Sequence, residues 1–166
     1  MSGLLEYALA VALLAVFLSA FSVATSGLLR TRTRRIAEVL DRHARRAIWV
    51  GALNLGFGVA MALPFFALQG ATGGEAWAFP GLMILVGLLI LVGIGFAGLS
   101  QWVGARLAAE SSPARRILLG SLSLTLGAGL PLAGTFFILP LMLALSLGAL
   151  ILSFLVRPPV QDPPPA

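Results

Sequence analysis

The sequence contains no cysteine and no lysine, a single histidine and a single tyrosine, and only 10% of its 166 residues are charged. Without cysteine there is no disulfide, no thiolate nucleophile and no sulfur-ligated metal. The lone histidine, His43, has no carboxylate cluster beside it, so no zinc site of ordinary ligand count can be assembled. Ser22, Ser26, Ser100, Ser121 and Ser123 have no second imidazole to serve them, which excludes a serine triad. The scarcity of charge excludes an ordinary water-soluble domain. Such domains are about 45–50% apolar and about 25% charged, whereas this chain is 59% hydrophobic with a mean hydropathy of +1.02. A soluble domain of about 150 residues still exposes roughly 30% of its unfolded-chain surface, too much for this composition to tolerate. The solvent implied is a bilayer, and the fold implied is all-α, a polytopic transmembrane helical bundle, because each helix satisfies its own backbone polar groups.

What is present is a series of uncharged runs. Residues 7–29 are long enough to cross about 30 Å of hydrocarbon. The run is too long for a signal peptide and lacks a basic residue before it. Further spans are expected at residues 48–68, 80–103, 117–130 and 136–156. The last two come from one uncharged stretch of about forty residues, which as a single helix would reach about 60 Å. The stretch must fold back, and "GAGLPLAGT", with Pro131 and Gly134, is the expected break. Five spans are favoured. Four plus a re-entrant or broken last segment is the alternative, because the run over 117–130 is short. "SSPARR" reads as a helix restart with Ser112 as N-cap and Pro113 at the first helical position. Residues 1–157 form one transmembrane domain, and residues 158–166 form a Pro-rich tail expected to be disordered.

All eleven basic residues are arginine. Arg30, Arg32, Arg34, Arg35, Arg42, Arg45 and Arg46 lie in the first connector, and Arg106, Arg115 and Arg116 in the third. Arg157 follows the last span. If five spans alternate, all of them share one side, which the inside-positive bias assigns to the cytoplasm. The N-terminus is then outside. The connector over 30–47 is amphipathic at helical spacing. Ile36, Val39, Leu40, His43, Ala44 and Ala47 line one face, opposite Arg34, Arg35, Glu38, Arg42, Arg45 and Arg46. Such a segment should lie in the headgroup plane with its apolar face in lipid. Arg32, Arg34, Arg35, Arg42, Arg45 and Arg46 would then touch anionic lipid or an acidic partner. Nucleic acid is not expected, because no aromatic residues interleave the run for base stacking.

No ionisable residue lies within the body of a span, where pumps and transporters usually keep one. Glu6 sits at the edge of the first run, too near the N-terminus for the membrane glutamate of small multidrug transporters. "GIGFAG", Gly93 to Gly98, lies deep in a span rather than after a soluble strand, so it is no dinucleotide fingerprint. The spans do carry small residues four apart: Ser22 and Ser26, Gly93 and Ala97, Ser123 and Gly127, Ala144 and Gly148. In lipid, helices associate where small residues let backbones approach. Asn54, Gln101 and Thr125 are expected to add interhelical hydrogen bonds.

From Gly98 to Phe154 the text "GLSQWVGARL…SPARRILLGSLSLTLGAGLPLAG…LGALILSF" resembles the C-terminal membrane hairpin of bacterial polytopic proteins that carry bactofilin-like, polymer-forming segments. The shared features are a Gly-x-Arg-Leu span end, an Arg-restart, a Pro-x-x-Gly turn and a Leu-Gly-Ala-Leu exit. The resemblance covers about a third of the chain, and the polymer-forming segment itself has no counterpart here. It implies a hairpin at Pro131 to Gly134 and a bacterial inner membrane, and it supplies no catalytic residue. The arginine-only, Ala/Gly/Leu-rich composition also fits a GC-rich bacterial genome.

The expected function is that of a non-enzymatic integral membrane accessory or scaffold subunit without cofactor or metal. It would pack against lipid, other membrane proteins or itself. The alternative is a small homo-oligomeric channel or exporter for an uncharged or apolar solute, lined by Asn54, Ser100, Gln101 and Thr125.

Overall fold

The computed structural model describes residues 2–156. The expectation of a disordered tail lies outside those residues. Among them the protein is helical throughout, with no strand. Helix α1 spans Ser2–Leu28, α2 Arg30–Thr72, α3 Ala78–Leu107, α4 Pro113–Ala128 and α5 Leu139–Leu155. A 3-10 turn, Glu75–Trp77, leads into α3, and a π-helical turn, Gly134–Ile138, leads into α5. Four of the helices are long and apolar enough to cross a membrane, whereas α4, at 16 residues, is shorter.

Local chemistry accounts for the breaks. Helix α2 stops at Gly73, whose φ of 66° costs a glycine little. Pro113 opens α4 behind Ser112, although the Ser112 side chain makes no capping bond. The chain reverses between α4 and α5 at residues 129–133, where Leu132 adopts a φ of 66°. Pro131 cannot continue the helix because it lacks the N–H donor.

Contacts between helices fix the direction of each rod. Gly51 of α2 lies against Ala144 of α5, and Ala47 against Gly148, so these helices are antiparallel. Gly81 meets Phe66 and Gly58 meets Leu88, which sets α3 antiparallel to α2. Gly104 abuts Arg116 and Gly120 abuts Ser100, so α4 is antiparallel to α3. Ser121 donates to Ser19 Oγ at 2.9 Å and Tyr7 donates to the Gly129 carbonyl at 2.7 Å, so α1 is antiparallel to α4. The five rods therefore run alternately from one end of the bundle to the other.

The first part of α2 departs from this pattern. His43 has non-helical angles, φ −134° and ψ 29°, and the helix kinks there. Residue 49 sits level with Ser146, midway between the contacts at 47 and 51, and Ser146 in turn lies against Gly95. A straight α2 would place residue 36 about 20 Å below that level, at 1.5 Å per residue. Instead Ile36 packs on Gly98, only about 4.5 Å further along α3. Asp41 meets Trp102 and Arg106, and Arg32 stacks on Phe154. The segment before the kink thus lies across the end of the bundle. Its apolar face is not in lipid, which corrects the sequence expectation. Ile36 and Leu40 are fully buried and join Phe96, Leu99 and Leu150 in the core. Burying two such side chains stabilises by about 1.5–3 kcal/mol each.

Close backbone approach holds the rods. A Cβ added at Gly51, Gly148, Gly95, Gly104 or Gly120 would overlap a carbonyl oxygen of the facing helix. Of the expected small-residue pairs, Ala144 and Gly148 form such a contact, against Ala47 and Gly51. Gly93 instead faces the Phe21 ring, which stands 3.1 Å from where a Cβ would be, and Ala97 is fully buried. Ser22 and Ser26 are buried, with Ser26 donating to the Ser22 carbonyl of its own helix. Ser123 is exposed and Gly127 touches only the Ile138 side chain, so that expected pair does not pack two helices. The packing face of α4 carries Gly120, Ser121 and Thr125 instead. Asn54 is exposed and donates to the Val50 carbonyl, and Thr125 donates to the Ser121 carbonyl. Both therefore bond within their own helix, where an i−4 carbonyl is always in reach, and not between helices as expected.

Candidate functional site

The antiparallel weave brings the arginines of separate connectors together at one end. The crosswise segment Arg30–Arg42 supplies one wall, the end of α3 a second, and the start of α4 a third. Arg34 pairs with Glu38 one turn on, at 3.1 Å. Both side chains are mostly exposed, so the pair adds at most about 1 kcal/mol. Arg106 pairs with Asp41 at 3.1 Å and stacks over the Trp102 ring with its guanidinium carbon 4.0 Å from the centroid. The Trp102 Nε1–H also reaches Asp41, at 3.4 Å. This triad ties the crosswise segment to α3. Arg32 stacks on Phe154 of α5 at 4.3 Å. Arg116 donates through Nη2 to the Ala109 carbonyl, closing the connector between α3 and α4. Of the remaining arginines expected at this surface, Arg35 is half-buried, and Arg42, Arg45 and Arg46 are exposed.

Between these walls lies a polar cavity of about 400 Å³, lined by Arg34, Asp41, Arg42, Trp102, Arg106 and Arg116 among others. A smaller cavity of about 210 Å³ adjoins it, with Val23, Arg30, Thr33, Pro113 and Ile117 in its walls. Gln101 borders both. Two buried side-chain atoms here have no hydrogen-bond partner, Gln101 Oε1 and Arg116 Nε. Buried polar groups without partners are rare in native structures, and these two flank the same polar space. His43 Nδ1, at the kink, is also buried and unpartnered.

The opposite end carries no arginine among the described residues. It holds a cavity of about 330 Å³ lined mostly by apolar side chains, including Leu14, Leu18, Leu139 and Met142. The four side chains considered for a solute path do not share one lumen. Asn54 lies on the outer surface, and Ser100 is fully buried against α4. Thr125 borders the apolar cavity, whereas Gln101 borders the two at the arginine end. Among the described residues no three His, Cys, Asp or Glu side chains converge as a metal-binding group.

Sequence reasoning identified the basic surface but missed Asp41, Trp102, Arg106 and Arg116 as one site with Arg34 and Arg42. A connector arginine can be assigned to a side of the membrane from its neighbours in sequence. Its partner across the bundle depends on the kink at His43, and no proline or glycine marks that position.

No family model, no curated protein and no solved structure matches the chain.

Proposed function

We propose that this protein is a multi-pass protein of a bacterial inner membrane, crossing it five times, and that it serves as a non-enzymatic accessory or scaffold subunit. The arginine end faces the cytoplasm, and the end holding Tyr7 and Gly129 faces outward. One observation carries the reading. Arg30 to Arg46, Arg106, Arg115 and Arg116 gather at one end of five alternating rods, and guanidinium groups do not cheaply enter hydrocarbon. The outward faces support it: Trp49, Leu53 and Phe57 are 71%, 74% and 66% exposed. Contiguous apolar surface of that kind belongs in lipid or against another protein. Helix α4 is about 24 Å long, short for a bilayer core, and local thinning costs only a fraction of a kcal/mol per Å. The accessory role rests on helix stretches 7–28, 47–72, 78–105, 117–128 and 139–155 without a charged side chain, and on the absence of a shared polar lumen among the described residues.

Because the chain has no cysteine, single-cysteine variants report sidedness without background. An impermeant maleimide applied to intact cells with the outer membrane opened should label Ala76→Cys and Leu130→Cys. Ser112→Cys should react only after the inner membrane is permeabilised. Labelling of Leu130→Cys together with Ser112→Cys, and not with Ala76→Cys, removes α4 as a crossing. For the accessory role, mild-detergent purification from native membranes should recover the chain with stoichiometric membrane partners or as a defined homo-oligomer. Recovery as a lone monomer from every preparation refutes that role.

A further inference from the structure

We propose that the polar cavity at the arginine end binds the phosphate group of an anionic phospholipid, in a defined site rather than by diffuse attraction. The inference rests on the membrane reading above and names the ligand of the same arginine surface. Charge comes first. Four guanidinium groups and two carboxylates line the cavity, a surplus of two positive charges. Glu38 and Asp41 are engaged by Arg34 and Arg106. Arg42 and Arg116 have no carboxylate partner among the described residues, so the surplus resides on them. Arg116 Nε is buried and unpartnered beside the cavity, and a charged donor in that state calls for an anionic acceptor.

Depth comes second. Along α3 the chain passes from Leu99, which is buried in the core, through Gln101 and Trp102 to Arg106. Tryptophan and arginine in that order mark the emergence of a helix from hydrocarbon into headgroups, so the cavity sits at phosphate level. Shape comes third. The adjoining cavity, with Val23, Pro113 and Ile117 in its walls, offers an apolar continuation for the glycerol and the start of an acyl chain. Gln101 Oε1, unpartnered between the two spaces, can accept a hydrogen bond from a headgroup hydroxyl. A neutral zwitterionic lipid fits less well, because both carboxylates that would hold its cationic group are already paired.

The test uses the full chain purified in a neutral detergent with Trp49→Phe and Trp77→Phe, leaving Trp102 as the only tryptophan. Short-chain phosphatidylglycerol is titrated while Trp102 fluorescence is read, against short-chain phosphatidylcholine and sn-glycerol 3-phosphate. The expected result is a saturable response to phosphatidylglycerol, weakened about tenfold by Arg42→Gln and by Arg116→Gln, the scale of one charge-assisted hydrogen bond. Arg45→Gln and Arg46→Gln remove the same charge outside the cavity and should change affinity less than about twofold. Arg42 is exposed and makes no side-chain bond among the described residues, so its variant stays informative if Arg116→Gln misfolds. Equal weakening by all four variants, or an equal response to phosphatidylcholine, overturns the site. A response to sn-glycerol 3-phosphate alone, with the same variant pattern, transfers it to soluble phosphate esters and overturns the lipid. These titrations need no membrane, so a failed labelling experiment and a failed titration point to different errors.

Discussion

The crossing of α2 and α5 allows a sharp test, because both helices approach through small residues on the same four-residue spacing. A methyl group at Gly51 would overlap the Ala144 carbonyl, and one at Gly148 the Ala47 carbonyl. Neither obstacle is a flexible side chain, so the helices must separate. Overpacking of that kind costs about 1–3 kcal/mol. Working the other way, alanine is about 0.8–1 kcal/mol better than glycine inside a helix. Gly56, in the same helix, has nothing within 4 Å of a built Cβ, so Gly56→Ala should express only the favourable part. Gly51→Ala and Gly148→Ala should each fall about 1–3 kcal/mol below Gly56→Ala when unfolding in mixed micelles is followed by circular dichroism. The double variant should lose less than the sum of the singles, because once the rods have moved apart the second methyl meets less. If Gly51→Ala proves as stable as Gly56→Ala, the close backbone contact is wrong, and with it the antiparallel register of α2 and α5.

Three smaller perturbations probe the rest of the bundle. Ile36→Ala, at a fully buried site, should cost about 2–5 kcal/mol, whereas Leu53→Ala on the outer face should stay within about 0.5 kcal/mol; similar costs for both would return the crosswise segment to lipid. Ser121→Ala removes the hydroxyl that bonds Ser19 and should cost about 0.6 kcal/mol in the same assay, the average for such bonds in membranes. Asp41→Asn breaks an exposed ion pair and should move stability by less than about 1 kcal/mol; a loss several times larger would mean that Arg106 is far more dependent on Asp41 than the geometry implies.

Much of the fold was legible because long uncharged runs leave few alternatives. Uncharged runs of sufficient length mark helices, and arginine marks the end of the bundle where they are joined. The packing residues were less legible. The sequence holds 19 glycines, so four-residue spacings of small side chains arise everywhere. Ala144 and Gly148 meet a facing pair, while Ser123 and Gly127 do not, and nothing in either pentapeptide distinguishes them. The difference lies in which face of α4 the neighbours α1 and α3 cover. Asn54 illustrates the same limit for polar residues. Its amide can reach the Val50 carbonyl without any second helix, so its presence in a span says little about interhelical bonding.

The crosswise segment shows why an amphipathic connector is ambiguous even when its faces are read correctly. Ile36, Val39 and Leu40 need an apolar environment, and lipid and protein satisfy that need equally in sequence terms. A membrane surface leaves such a helix free to move in its plane. Packing on Gly98 and Phe154 instead fixes where Arg34 and Arg42 stand relative to Arg106 and Arg116, because a buried apolar face holds the polar face in register. A basic patch floating on lipid attracts any anion in proportion to charge. Guanidinium groups held across a cavity discriminate by position, which is why Arg42 and Arg45, both exposed and only three residues apart, are expected to differ at least about fivefold in their weight on binding. The kink at His43 is the structural origin of that difference. Straightening α2 would carry Arg34, about 13 Å before the kink, away from Arg106 and Arg116 and leave the chain with arginines on one side but no site.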